Sequence, residues 1–255
     1  AEGALRRLRL LHQAIVDREE QGETLSRLLP GGLADKLRRE GRRLGETEEL
    51  EVTVLMSDIR GYSSLSERIT PSAMAAQLNE HRAAMNRAVL AEGGTVMQFV
   101  GDAVMAVFGA PAPQADHADR AMAAALAMHR GQAALNDAWR GSDREEFTIG
   151  IGLSTGPVAA ALLGSEERLE YTLVGDTVNL SQRLQDLARP GPATVVSEAT
   201  WRALTDPPAS AEPLGVITVK GRAAPLSAWR VMPRSGGGTP STHQAAPSPG
   251  RRPMV

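Results

Sequence analysis

Hydrophobic positions recur along most of the chain with the two-residue period of strands or the 3.6-residue period of helices. They predict, in order, a strand at 51–58, a helix at 71–90, a hairpin around Gly101, a helix at 115–139, strands at 147–154, 158–163 and 170–174, a helix at 176–187, a strand at 193–196, a helix at 197–204 and strands at 216–219 and 227–231. Thr70 is the expected N-cap of the second element, with Pro71 at the first helical position. The order β-α-β-β-α-β within residues 51–155 is the ferredoxin-like plan, so the predicted fold class is α+β, with a mostly antiparallel sheet covered by helices.

The first part of the chain carries a seven-residue repeat at positions Leu8, Leu11, Ile15, Arg18, Gly22, Leu25 and Leu29. Most of these positions are apolar, which is typical of a short, imperfect coiled coil between two chains. A single amphipathic helix packed on its own domain is the alternative interpretation of the same pattern. Pro30-Gly31-Gly32 ends the repeat and a highly charged helical stretch follows. Residues 1–46 are therefore predicted to be a helical or coiled-coil linker.

The end of the chain has a different composition from the middle. Residues 234–255 are mostly Gly, Pro, Ser and Thr, and no apolar residue recurs there at a structural period. A disordered tail is predicted for this segment. Residues 47–233 are left as the folded domain.

Composition and charge exclude several classes of function. The 255 residues carry 28 basic and 30 acidic side chains, a formal charge of −2, and the pI is near 6.3. A nucleic-acid binder would normally show a basic surplus, so no nucleic-acid partner is expected. The absence of Cys excludes disulfides, thiolate nucleophiles and Cys-ligated zinc. No apolar run is long enough to span a bilayer, so this segment is expected to make no membrane contact.

Two acidic residues stand where a strand ends and where a hairpin turns. Asp58 closes the first strand in SDIRGYS, and Asp102 follows Gly101 in FVGDAVM. If the sheet brings them side by side, the two carboxylates repel each other unless a cation lies between them. Mg²⁺ prefers a few carboxylate oxygens together with substrate phosphates, and these two residues could supply such a site. Gly-Asp is also a good turn pair by itself, so a structural role for Asp102 remains the alternative.

A third segment, EYTLVGDTVNLSQR, places Asn179 and Arg183 four residues apart on a predicted helix. They therefore share one face and can touch the same ligand. An Arg guanidinium near phosphate stabilises developing negative charge through paired hydrogen bonds. A solvated helix face is the alternative interpretation.

Taken together, SDIRGYSSLSE, GGTVMQFVGDAVMAVFGAP and EYTLVGDTVNLSQRL resemble the catalytic domain of the class III nucleotidyl cyclases, the adenylyl and guanylyl cyclases. The resemblance extends over residues 52–231. Diguanylate cyclases share the fold plan, but their GG[DE]EF signature is absent. The resemblance implies a phosphorus–oxygen lyase that converts ATP to 3′,5′-cyclic AMP and pyrophosphate.

The resemblance also implies roles for particular residues. Asp58 and Asp102, with Ile59 beside them, match the positions that hold two Mg²⁺ or Mn²⁺ ions in the family. Asn179 matches the residue that orients the ribose, and Arg183 the residue that stabilises the α-phosphate in the transition state. Further matched positions contact the substrate phosphates, namely Lys220 at the terminal phosphates and a turn formed by Ile59, Arg60, Gly61, Tyr62 and Ser63.

The base pocket departs from the usual adenylyl cyclase pattern, which pairs a Lys with an Asp or Thr. Here these positions are Gln98 and Thr172. Lys only donates hydrogen bonds and so favours adenine N1, whereas a Gln amide can donate or accept. ATP is the expected main substrate with a GTP side activity, and a guanylyl or dual-specificity cyclase is the alternative.

In the family each active site combines metal aspartates from one protomer with transition-state residues from the other. The resemblance therefore implies a homodimer, with residues 1–46 acting as a signalling linker. It also implies a cytoplasmic location, with an upstream sensor or membrane domain as an expected neighbour. A catalytically weak cyclase-homology module that binds nucleotide or a partner is a further alternative.

Overall fold

The computed structural model describes residues 47–142, 144–164, 169–218 and 225–233. The predicted linker, the predicted tail and Lys220 lie outside the described residues. Eight strands are present in the described part of the chain: β1 Thr47–Ile59, β2 Thr95–Val100, β3 Ala103–Phe108, β4 Ile149–Gly164, β5 Leu169–Val174, β6 Ala193–Ser197, β7 Ala211–Ile217 and β8 Leu226–Val231. The helices described are α1 Tyr62–Arg68, α2 Pro71–Ala91, α3 His117–Trp139, α4 Asp176–Leu187 and α5 Glu198–Ala203.

The strands form one sheet in the order β2-β3-β1-β4-β6-β8-β7, and β5 also pairs with β4. Only the β4–β6 pair of this sheet is parallel. The order β1-α2-β2-β3-α3-β4 confirms the predicted α+β fold of the ferredoxin-like plan.

The main differences from the predicted elements lie around glycine and proline. The two strands expected at 147–154 and 158–163 form the single strand β4, whose residues 149–161 pair with the whole of β1. Pro157 falls between the residues of β4 that pair with β6 and those that pair with β5, so its missing N–H costs no bond to either strand. The Gly- and Ser-containing segment after Asp58, expected as a turn, contains helix α1.

Helices α2 and α3 cover one face of the sheet. Trp139 and Phe147 meet edge to face at 5.1 Å between ring centroids and are almost fully buried. A polar chain crosses the same layer, because His81 Nδ1 lies 2.7 Å from Gln132 Oε1 and the Gln132 amide donates to Asn136 at 2.8 Å. Helices α2 and α3 are thus held to each other by both apolar and polar contacts. No helix in the described ranges is long and apolar enough to cross a membrane.

Candidate active site

The sheet brings Asp58 and Asp102 together. Ser57 pairs with Val104 across β1 and β3, so the last residues of β1 lie beside the turn of the β2–β3 hairpin. The backbone N–H of Ile59 donates to Asp102 Oδ2 at 3.0 Å. The Asp102 carboxylate therefore lies next to Ile59, the residue that follows Asp58, as the sequence predicts.

Both carboxylates are partly shielded from solvent. Burial, and after it repulsion by Asp102, raises the pKa of the Asp58 carboxyl above its ordinary value. Arg60 and Arg189 act on the same pKa in the opposite direction without cancelling these effects. Two like charges at a half-buried strand end are unfavourable, and a bound cation would relieve them.

The donor chemistry of this pair fits a hard divalent cation. Mg²⁺ and Mn²⁺ bind carboxylate oxygens readily. The backbone of Ile59 lies at the same site, because its N–H donates to Asp102. The described residues contain no group of three or more acidic or imidazole side chains that could hold a metal. A metal at Asp58 and Asp102 would complete its coordination with backbone oxygens, water or substrate phosphates, the usual arrangement for Mg²⁺.

Arg82 holds the hairpin turn from outside the predicted site. It lies on α2, donates from Nη2 to the carbonyl of Gly101 and has its guanidinium carbon 5.1 Å from the centroid of the Phe99 ring. Both contacts fix the turn that carries Asp102. No sequence pattern singles out this residue, because an arginine in a helix gives no signal until the tertiary structure shows what it contacts.

The turn after Asp58 is short and leads directly into α1. Gly61 adopts a φ of 69°, a left-handed conformation that favours glycine, and helix α1 starts at Tyr62. Helix geometry leaves the first N–H groups of α1, including those of Tyr62 and Ser63, without acceptors inside the helix. These groups are the candidate phosphate contacts of the turn.

Arg60 makes two hydrogen bonds within the protein, one from its backbone and one from its side chain. Its backbone N–H donates to the Thr148 carbonyl at 2.8 Å, and its guanidinium donates to the carbonyl of Gln185 in α4. The resemblance places the Arg60 side chain at the substrate phosphates. In the structure this side chain instead points toward the last turn of α4.

Helix α4 packs closely on β4 through small residues. A Cβ atom at Gly152 would lie 2.0 Å from the Ser181 carbonyl oxygen, so only glycine allows this approach. The face of α4 toward the sheet is buried and comprises Thr177, Leu180, Ser181, Leu184 and Gln185. Asn179 is exposed and Arg183 is half-buried on the other side of the helix. Their predicted common face is therefore free of the sheet.

The predicted site residues lie in two groups on different elements, one at the end of β1 and the hairpin turn and the other on α4. We call Asp58, Ile59 and Asp102 the carboxylate half-site, and Asn179 with Arg183 the helix half-site.

Of the two predicted base-pocket residues, Gln98 contacts an apolar cluster, and Thr172 lies in β5 between two members of that cluster. A β-bulge between Val96 and Gln98 interrupts the alternation of β2, and the exposed Gln98 places its Nε2 3.8 Å from Met105 Sδ. Met105 belongs to a buried cluster that includes Tyr171 and Leu173, the two neighbours of Thr172 in β5. Strand periodicity alone would not have placed Gln98 at Met105, because the bulge shifts the register.

Comparisons with known proteins identify the family of the chain. Residues 46–232 match the family model described as the adenylate and guanylate cyclase catalytic domain. Adenylate cyclase 1 of Rhizobium meliloti is 34% identical over 182 residues, which are 71% of this chain and 27% of that protein. The chain thus spans about a quarter of the length of this relative.

Two solved structures are similar in both sequence and fold. The adenylyl cyclase CyaB from P. aeruginosa superposes with a TM-score of 0.70 at 32% identity, covering 75% of this chain and 98% of that one. The guanylyl cyclase Cya2 gives a TM-score of 0.67 at 32% identity, covering 78% and 98%. With the family model matched over most of the chain, we conclude that this protein belongs to the class III adenylate and guanylate cyclases.

Proposed function

We propose that the chain is an adenylyl cyclase that converts ATP to 3′,5′-cyclic AMP and pyrophosphate. The observation that carries the proposal is the pairing of two carboxylates at one strand end, linked by the 3.0 Å contact between the Ile59 N–H and Asp102. A pair of this kind needs a divalent cation, and the proposed reaction uses one at a triphosphate.

Asp58, Asp102 and the backbone oxygen of Ile59 would hold two Mg²⁺ or Mn²⁺ ions. When bound, such ions supply positive charge that favours the ionised 3′-hydroxyl and neutralises the leaving pyrophosphate. The first N–H groups of α1, at Tyr62 and Ser63, would orient the phosphates, and Lys220 would contact the terminal ones. No covalent intermediate with the protein is required.

Asn179 and Arg183 would act on the other side of the substrate. The Asn179 amide would hold the ribose so that its 3′-oxygen faces the α-phosphate. The Arg183 guanidinium would stabilise the negative charge that grows on the α-phosphate oxygens in the transition state. Arg183 suits this role because its Nη1 is buried and makes no hydrogen bond to any described residue.

The proposal includes a homodimer with shared sites, because the resemblance divides each active site between two protomers. A two-fold axis would place the carboxylate half-site of one protomer opposite the helix half-site of its partner, twice. We place residues 47–233 in this catalytic unit, residues 1–46 in a signalling linker and residues 234–255 in a disordered tail. The ATP substrate places the activity in the cytoplasm.

The base pocket sets the substrate preference. With its NH₂ group toward adenine N1, Gln98 would favour ATP, and the Thr172 hydroxyl would accept from the adenine amino group. With both groups reversed, the same pocket accepts GTP, so we expect weak discrimination. A guanylyl or dual-specificity cyclase is the second candidate, because the exposed Gln98 amide makes one long contact, to Met105, among the described residues and is otherwise able to turn either way.

The test measures cyclic products from ATP and from GTP, with Mn²⁺ and with Mg²⁺, for the unchanged chain and for Gln98→Lys. We expect cyclic AMP to dominate and the Lys variant to raise the ATP preference by about tenfold, since it removes the acceptor that GTP needs. Dominant cyclic GMP would favour the second candidate. No product at protein concentrations where dimers form would favour a regulatory module and contradict the proposal.

A further inference from the structure

Arg60 forms a side-chain link between the two half-sites of one protomer. Its guanidinium lies directly over Gly150, where an added Cβ atom would be 1.4 Å from Nη2. Gly150 is the residue of β4 that pairs with Asp58 in β1. From there the guanidinium reaches the carbonyl of Gln185 in the last turn of α4. The link therefore starts beside Asp58 and ends on the helix that carries Arg183.

The end of α4 that Arg60 contacts needs partners from outside the helix. The last four carbonyls of any helix lack donor partners within it, and cations are favourable at that end. Arg60 serves the carbonyl of Gln185, and Arg230 from β8 donates to that of Leu187 at 3.0 Å. These two arginines anchor the same helix end to different strands.

Among the described residues, Arg60 makes the side-chain hydrogen bond that joins this helix end to the segment directly after β1. Its Nε and Nη1 atoms are buried and make no hydrogen bond to any described residue. The Gln185 carbonyl is thus the hydrogen-bond anchor of the guanidinium among these residues. A shorter side chain at position 60 would remove this bond, while Arg230 would still hold the helix end to β8.

We propose that Arg60 is a positioning residue that fixes α4, and with it Asn179 and Arg183, relative to the carboxylate half-site. This inference rests on the proposed shared-site dimer, in which the two half-sites of one protomer serve different active sites. Arg60 then couples the two active sites, because a shift of the carboxylate half-site in one site moves the helix half-site of the other.

Hybrid dimers test this directly. Two chains with different tags are combined, one with Asp58→Ala and the other with Arg183→Ala. Each hybrid dimer then has one intact site. That site takes its carboxylates from the second chain and its helix half-site from the first. Arg60→Gln is added only to the Asp58→Ala chain, whose own carboxylate half-site is already inactive. The readouts are kcat and the Mn²⁺ concentration at half-maximal rate.

We expect Arg60→Gln in that chain to lower the kcat of the intact site by about tenfold, because small misplacements of transition-state groups are costly. The Mn²⁺ dependence should stay unchanged, because the carboxylates of that site belong to the other chain. Arg60→Lys should recover much of the rate, since it can still donate to Gln185. An unchanged kcat with Arg60→Gln would overturn the proposal.

Gly150→Ala gives an independent test, because it keeps Arg60 but displaces its guanidinium through the end of a flexible side chain. In the Asp58→Ala chain it should lower kcat as Arg60→Gln does, and an unchanged kcat would count against the link. Arg87→Gln, an exposed arginine on α2, is the matched control and should have no effect. Hybrids that are inactive without any change at position 60 would overturn the shared-site dimer and the coupling with it. Active hybrids that are insensitive to position 60 would overturn the coupling alone.

Discussion

The carboxylate half-site is fixed by backbone pairing, whereas the helix half-site is fixed by side chains that anchor a helix. Asp58 lies in a strand that is paired on both sides, and Asp102 lies in the two-residue turn of a hairpin. Asn179 and Arg183 lie on α4, which is held by glycine contacts below and by Arg60 and Arg230 at its end. Backbone register allows little movement, while a helix held by side chains can shift when one of them changes.

The two half-sites also differ in the charge of their side chains. The carboxylate half-site carries two acidic side chains, and burial, followed by repulsion from Asp102, raises the pKa of Asp58. The helix half-site carries Arg183, whose buried Nη1 has no hydrogen-bond partner among the described residues. One half-site is suited to metal and the other to phosphate, so each is completed by a different part of the same metal–nucleotide complex.

The largest expected effect separates metal binding from transition-state stabilisation. Asp58→Ala should abolish both Mn²⁺ binding and activity, because it removes half of the carboxylate pair. Arg183→Ala should lower kcat by about 10²–10³-fold and leave Mn²⁺ binding intact, since loss of one preformed donor has about this effect. Calorimetric titration with Mn²⁺ and steady-state rates give the two readouts.

Arg87→Gln is the control for both variants, because it changes an exposed charge away from either half-site. Unchanged cyclic product with Asp58→Ala would show that the carboxylate assignment is wrong. Loss of Mn²⁺ binding in Arg183→Ala would show that the helix half-site also contributes to metal binding.

A smaller effect is expected from Arg82, which supports the hairpin of Asp102 alone. Arg82→Gln should raise the half-saturating Mn²⁺ concentration by about fivefold, as expected for loss of a hydrogen bond worth about 1 kcal/mol. The kcat at saturating metal should change little, because α4 is not touched. A change in kcat with unaltered metal dependence would show that Arg82 supports the helix half-site instead.

The smallest effect concerns stability without metal. Because the pKa of Asp58 is raised in the folded chain, ionisation of this carboxyl lowers stability as pH rises through that pKa. Asp58→Asn removes the charge and should raise the Tm of the metal-free protein at pH 7 by no more than about 2–4 °C, the shift that 1 kcal/mol gives in a domain of this size. The difference should shrink as pH falls toward about 4 and vanish below that, where the carboxyl is protonated in both the folded and the unfolded chain.

Calorimetric melting at pH 7 and pH 4 measures this difference. The same change at Asp137, an exposed residue of α3 far along the chain from the hairpin, should leave the Tm nearly unchanged. A lower Tm for Asp58→Asn at pH 7 would mean that the carboxylate stabilises the fold and that the repulsion does not dominate.

Most of the fold could be predicted from hydrophobic periodicity and turn chemistry. The cap at Thr70 is observed, with its hydroxyl accepting from the Ala73 N–H at 3.3 Å, and α4 has the predicted limits. Helix α1 and the continuous strand β4 were not predicted, because Gly61 and Pro157 resemble breaks when only their neighbours in sequence are considered. Pairing with β1 overrides the local signal at Pro157.

The sequence by itself determined which residues could do chemistry. Residue type and spacing single out Asp58, Asp102, Asn179 and Arg183, since carboxylates and a guanidinium have their properties wherever the chain places them. Only the tertiary structure decided which of these residues meet. The 3.0 Å contact at Asp102, the hairpin clamp of Arg82 and the path of Arg60 to Gln185 join residues far apart in sequence, and no local pattern encodes such distances.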